Sequence, residues 1–193
     1  LHPDAPIRLK GIEEYDWLIV SSPSGARFLI EALKRAGVDL RRVPKIAAAG
    51  VRTAEELAAH GLMADATAEL YGSEGVVELF RSLEDEGTMS APRSPVRSAG
   101  RLRILRLRSD AAGEELAREL SKTGAEVTDL VLYRTEKAEP DELPSFDAVF
   151  FASSSAVSAF VSAFGTESLR HRPIVAIGAP TRSEERRVGK ECA

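Results

Sequence analysis

The sequence predicts an α/β protein built from two doubly wound, parallel-sheet lobes, and three observations carry that prediction. First, one strand–turn–helix text occurs twice. Asp16-Trp-Leu-Ile-Val-Ser-Ser-Pro-Ser-Gly25 returns as Asp147-Ala-Val-Phe-Phe-Ala-Ser-Ser-Ser-Ala156, about 130 residues later. Second, Ile46-Ala-Ala-Ala-Gly-Val-Arg-Thr53 returns as Ile174-Val-Ala-Ile-Gly-Ala-Pro-Thr181, in the same order and at nearly the same spacing. Third, short apolar runs alternate with segments of helical periodicity, the pattern of parallel strands joined by right-handed crossovers. Two units in register imply two similar lobes, and a cleft between lobes is a natural ligand site.

The elements follow in order. Trp17–Val20 reads as a strand buried on both faces. Ser21–Gly25 breaks it, Pro23 or Ser24 can open the next helix, and Gly37 ends that helix. Ile46–Ala49 is a strand and Thr53–His60 a helix stopped by Gly61; Ser73–Leu83 is a helix with Ser73 as its expected N-cap. Residues 88–100 have loop composition. Leu102–Leu107 is a strand, Glu114–Thr123 a helix and Val127–Tyr133 a strand. Residues 8–133 thus make a nearly complete lobe. Residues 134–181, entered through the acidic, proline-bounded linker Glu136–Pro144, hold only two strands and one convincing helix, a partial lobe. Residues 182–193 carry Val188 as their only sizeable aliphatic residue and read as a frayed or non-native tail.

Composition narrows the function. The 193 residues are 44% hydrophobic with a net charge of −4, which disfavours nucleic acid as the main partner. No apolar run approaches the roughly 20 residues that span a bilayer, so no membrane partner is expected. Cys192 is the only cysteine, consistent with a reducing cytoplasm, and His2, His60 and His171 lack metal-ligand spacing, so no metal site is expected.

Ligands of doubly wound sheets bind beyond the C-terminal ends of strands, where helix starts aim free N–H groups outward. Four such turns are readable: Ser21–Gly25, Gly50–Thr53, Ser153–Ala156 and Gly178–Thr181. Their hydroxyls suit either helix capping or contact with carboxylates or phosphates, and the residues alone leave both open. The arginines of Arg101–Arg108, at strand spacing, suit a solvated or edge face; Arg108 differs, since it falls at the strand's ligand-binding end. Tyr133 closes a strand and serves packing or faces the cleft. Ser22 and Ser153 have no histidine partner for a hydrolytic triad, and the phosphate loop of a nucleotide-binding flavodoxin-like protein is absent.

Taken together, residues 15–25, 46–54, 124–135, 150–157 and 175–181 resemble the uroporphyrinogen-III synthase family in their order and spacing. The resemblance implies two flavodoxin-like lobes joined by linker strands, 8–133 matching the family's second lobe and 134–181 an incomplete first lobe. It implies a cytoplasmic monomer and a cofactor-free reaction, in which hydroxymethylbilane is cyclised with inversion of its last ring. Tyr133 matches the tyrosine implicated in loss of the substrate hydroxyl. Ser22, Thr53, Ser153 and Thr181 match cleft turns, and Arg108-Ser-Asp resembles the bacterial Arg-Gly-Asp/Asn strand end, so these five positions are expected to bind substrate. Family members begin with a strand–helix–strand unit before the position of Leu1 and continue past Thr181, which predicts a truncated form of low activity. The competing expectation is a non-catalytic module of the same fold that binds a tetrapyrrole or polyanion.

Overall fold

The computed structural model describes residues 1–70, 72–86, 101–136, 142–178, 181–184 and 186. The expected loop over 88–100 and most of the expected tail and linker lie outside the described residues; at the tail's start, residues 181–184 are helical. The chain divides into two compact units, Leu1–Thr135 and Glu136–Ala193.

In the first unit, β1 (Trp17–Val20), β2 (Lys45–Ala48), β3 (Ala66–Thr67), β4 (Arg103–Ser109) and β5 (Glu126–Tyr133) form one sheet. Its order is β3-β2-β1-β4-β5, and the pairs are parallel throughout. The order reverses between β1 and β4, and such switch points are where doubly wound sheets bind ligands. The first helices are α1 (Ala5–Arg8), α2 (Pro23–Ala36) and α3 (Val51–Ala59), followed by α4 (Ser73–Asp85) and α5 (Glu115–Lys122).

Alternation along each strand divides the core into two layers. Leu18, Val20, Ile46, Ala48, Leu105, Leu107, Leu130 and Leu132 point to one face and pack with Leu29, Leu33 and Leu57 of α2 and α3. Trp17, Ile19, Ala47 and Ile104 point to the other and pack with Val76, Phe80, Leu116 and Leu120 of α4 and α5. Trp17 and Phe80 meet edge to face with centroids 5.5 Å apart. Because helices cover both faces, β1 reads as an unbroken apolar run in the sequence.

Three local features differ from expectation. The periodicity assigns no element to residues 1–14, yet Ala5, Leu9 and Ile12 are fully buried in the first core layer. The His2 N–H donates to the Leu132 carbonyl at 2.8 Å, tying the segment to β5. Pro6 in the first turn and the Leu9/Ile12 spacing are the signals that mark it. Second, β3 has only two residues, too short to stand out by periodicity. Third, α4 takes Gly72, not Ser73, as its N-cap, with φ +94 and no side-chain cap. A Cβ on Gly75 would lie 1.9 Å from the Leu70 carbonyl oxygen, so this helix entry demands glycine at that point of close approach.

The second unit contains β6 (Val149–Phe151), α6 (Ser154–Phe164) and β7 (Ile174–Ala176), with β6 and β7 parallel in a two-stranded sheet. Its centre is aromatic: Phe160 packs edge to face on Phe146 and Phe151. Among the described residues, Phe151 and Val157 are its only buried hydrophobic side chains.

Candidate functional site

Ser22 stands where β1 ends. Its extended backbone (φ −156, ψ 157) turns the chain, and its Oγ accepts the Gly25 N–H at 3.0 Å, capping α2. Pro23 follows at the first helical position, where its missing N–H costs nothing. The same Oγ lies 3.2 Å from the Tyr133 hydroxyl, 111 residues along the chain. The one hydroxyl thus caps α2 and also touches Tyr133.

Tyr133 reaches Ser22 because β5 is irregular. Arg108 pairs with Val131 but the next residue, Ser109, pairs with Tyr133, so Leu132 is the extra residue of a bulge. Leu130 and Leu132 occupy the α2 face; strict alternation would turn Tyr133 to the opposite one. The bulge keeps it on the α2 side, where its ring stacks on Phe28 with centroids 4.7 Å apart and planes 17° apart. Bulges beside active sites commonly re-aim a side chain in this way.

Across the sheet at the same end, Arg106 and Arg108 point to the α4/α5 face. The reading of these arginines as a solvated or edge row fails for Arg106, which is 4% exposed. Its sheet position is interior, and a carboxylate waits on the neighbouring strand. Arg106 is in register with Asp129 of β5. Its guanidinium forks onto Asp129 (Nε to Oδ1 2.7 Å, Nη2 to Oδ2 2.5 Å) and donates to the Gly113 carbonyl at 2.9 Å. A planar fork of this kind is the geometry in which arginine tolerates burial. Arg108 Nε lies 3.0 Å from Asp129 Oδ2, and Nη1 donates to the Ala112 carbonyl. The Nε–H is buried without an aligned hydrogen bond. Sequence reasoning misses the Arg106–Asp129 pair; the available signal is a lone acid, Asp129, inside the apolar run Val127–Tyr133.

Beside the two arginines is a cavity of about 300 Å³, whose lining includes Ser21, Ala49, Ser73 and Leu116. Thr53 is 4% exposed in the first turn of α3, its N–H bonded to the Gly50 carbonyl at 3.0 Å. In the second unit Ser153 repeats the Ser22 cap, accepting the Ala156 N–H at 3.1 Å, and Thr181 is 4% exposed. The structure therefore brings Ser22 and Tyr133 into contact and sets Arg108 on the other face of the same sheet. It gives Thr53 and Thr181 buried side chains. Among the described residues no group of His, Cys, Asp and Glu could hold a metal ion, and no helix is long and apolar enough to cross a membrane.

The switch-point end of the sheet thus carries a capped hydroxyl turn, a re-aimed tyrosine and a cavity beside paired arginines, on a doubly wound α/β fold of the class that binds ligands at that place. The description "Uroporphyrinogen-III synthase HemD" belongs to the family profile that matches residues 2–191. The chain belongs to the uroporphyrinogen-III synthase family. It is 27% identical over 184 residues to the chloroplastic uroporphyrinogen-III synthase of Oryza sativa subsp. japonica, covering 92% of this chain and 57% of that protein. A mutant uroporphyrinogen III synthase from the extremely thermophilic bacterium Thermus thermophilus superposes with TM-score 0.61 at 20% identity, over 97% of this chain and 74% of that one. The synthetase from Helicobacter pylori 26695 superposes with TM-score 0.54 at 18% identity, over 93% and 84%. These likenesses identify the fold that the duplicated motifs predicted.

Proposed function

We propose that this chain carries the substrate-binding and catalytic elements of a uroporphyrinogen-III synthase, cyclising hydroxymethylbilane with inversion of ring D. The observation that carries the reading is the 3.2 Å contact between Tyr133 and Ser22. Tyr133 is the proposed acid. Its hydroxyl protonates the departing substrate hydroxyl, which leaves as water and generates the azafulvene cation. The Ser22 Oγ, already accepting the Gly25 N–H, holds the phenol in position. The remaining work is orientation of the bilane toward the correct ring attack, which needs positioning more than further chemistry.

The substrate's carboxylates are assigned to the turns beyond the strands and to Arg108. Ser22 and Ser153 head helices α2 and α6 with the same kind of cap bond, which suits contact with a carboxylate at each turn. Thr53 and Thr181, with buried side chains, act by fixing the turns whose backbone N–H groups meet carboxylates. No cofactor enters the proposed scheme, the lone cysteine fits a reducing compartment such as the cytoplasm, and the acting unit is a monomer. Residues 8–133 are proposed to correspond to the family's second lobe and 134–181 to part of its first. Because the described residues of the second unit hold two strands, turnover by this chain alone is expected to be low.

The test is turnover of hydroxymethylbilane by purified chain, scored by product isomer. Tyr133→Phe should lower kcat by about 100-fold or more, the usual contribution of a positioned acid, with KM changed little. Undiminished turnover in Tyr133→Phe would remove Tyr133 from the chemistry. Saturable substrate binding with no turnover in the parent chain would instead favour the non-catalytic module.

A further inference from the structure

Tyr133 is the last residue of β5, and the ends of elements are where a fold frays first. Its hydroxyl stands at the far end of a long, rigid side chain, so a small rotation of the strand end carries it away from Ser22. A misplacement of about 1 Å can cost on the order of 100-fold in rate. What holds the end of β5 therefore decides how well the phenol is placed.

Two contacts act on the side chain, the Ser22 hydroxyl at 3.2 Å and the Phe28 ring at 4.7 Å. The main chain is held by a third residue, Asp110, which lies one position beyond the end of β4. The Asp110 N–H donates to the Tyr133 carbonyl at 3.1 Å. Its Oδ1 accepts the Thr135 N–H at 2.9 Å, and the Ala111 N–H at 2.9 Å as well. In a regular parallel ladder, the residue that donates to Tyr133 would accept from Thr135 with its own main-chain carbonyl. Here the carboxylate takes that bond. One side chain thus carries the β4–β5 ladder a step further, after β4 has ended in the turn that leads to α5.

An aspartate suits this place because its short side chain reaches nearby main-chain N–H groups from within a turn. Asp110 and Thr135 are exposed, so the bond between them adds little to global stability. Its effect is on geometry. We propose that Asp110 is a positioning residue for Tyr133: its N–H pins the Tyr133 carbonyl and its carboxylate pins the chain at Thr135, which keeps the phenol on Phe28 and within reach of Ser22. That this positioning serves catalysis rests on the function proposed above; the clamp itself does not.

The test uses the purified full chain with ring-labelled tyrosine. Of its three tyrosines, the Tyr133 ring signals are those that vanish in Tyr133→Phe. Stacking on Phe28 should hold them upfield in the parent. In Asp110→Ala they should move toward the position of an exposed tyrosine, and the Asp110 and Thr135 N–H groups should exchange at least about 10-fold faster. Asp110→Asn keeps an Oδ1 acceptor and should match the parent in both readouts. With hydroxymethylbilane, Asp110→Ala should lower kcat by about 10- to 100-fold with KM little changed, and Asp110→Asn should restore most of the loss. In a Tyr133→Phe background the Asp110→Ala loss should disappear, because Asp110 acts only through Tyr133. Should Asp110→Ala fail to fold, Thr135→Pro removes the donor, leaves the carboxylate and should displace the same ring signals.

Unmoved ring signals in these variants overturn the proposal. Equal losses in Asp110→Asn and Asp110→Ala overturn it too, as does a kcat loss that persists in Tyr133→Phe. Displaced ring signals in a chain whose parent shows no turnover remove the catalytic reading alone, whereas turnover with unmoved ring signals removes the clamp alone.

Discussion

Ser22 and Ser153 head two copies of one strand–turn–helix text, and locally the copies are nearly superimposable. Ser22 has φ −156 and ψ 157 and accepts the N–H three residues on at 3.0 Å; Ser153 has φ −162 and ψ 158 and accepts at 3.1 Å. Their surroundings are not alike. All four residues of β1 are buried, whereas in β6 only Phe151 is, with Phe150 at 59% exposure and Val175 of β7 at 53%. The cap is a matter of four residues and forms in either place. Burial requires neighbouring strands and helices on both faces; among the described residues the first unit supplies five strands and the second two.

The strongest way to break this comparison is in the cores. Leu18→Ala should destabilise the first unit by about 4 kcal/mol, the cost of an enclosed cavity, whereas Val175→Ala should change the second by less than about 0.5 kcal/mol. Urea unfolding followed by unit-resolved hydrogen exchange measures both; equal effects would mean that the two sheets are equally packed. Next comes Asp129→Ala, which leaves two guanidiniums facing each other with Arg106 buried. About 3 kcal/mol should be lost, visible as a lower urea midpoint at unchanged slope. A smaller change tests the shared cap: Ser22→Ala and Ser153→Ala should each cost about 1 kcal/mol of local stability. Amide exchange in the first turns of α2 and α6 reads this directly, and a cost confined to Ser22 would show that the repeat is one of sequence only.

The smallest expected effect lies on the first unit's surface. The Asp39 carboxyl is held down to about 2, first by the side-chain hydrogen bond from Arg41 and then by the Arg41 backbone N–H. A lowered carboxylate pKa stabilises the folded state above the ordinary value of 3.8, and that contribution disappears as pH falls through about 2. A carboxyl carbon NMR titration should place its midpoint near 2, rising toward the ordinary value in Arg41→Gln. The exposed pair should weaken with added salt, while the buried Arg106–Asp129 fork should respond far less.

Much of this is readable in the residues. Trp17–Val20 is observed at its predicted bounds, and α2 ends at Gly37 with φ +67, as a C-terminal glycine stop requires. Apolar runs bounded by turn residues carry their own boundaries, so β1, β2, β4 and β5 are all legible. The short edge strand β3 and the segment Ala5–Ile12 are not, because their stability comes from docking and not from periodicity. Arg106 escapes sequence reasoning for a related reason. A charged residue in a strand pattern indicates solvent unless its partner is known, and that partner lies on another strand 23 residues away.

The sequence by itself determined the local devices: the alternation of strands and helices, the serine caps, the glycine stop, and the repetition that marks the family. Tertiary structure decided which of those devices meet. A single bulge in β5 turned Tyr133 toward Ser22, and the register between β4 and β5 buried Arg106 against Asp129. The physical reason is range. Capping and turn preferences are settled within about four residues, whereas pairing register and burial are sums over neighbours far apart in the chain, as the 111 residues between Ser22 and Tyr133 illustrate.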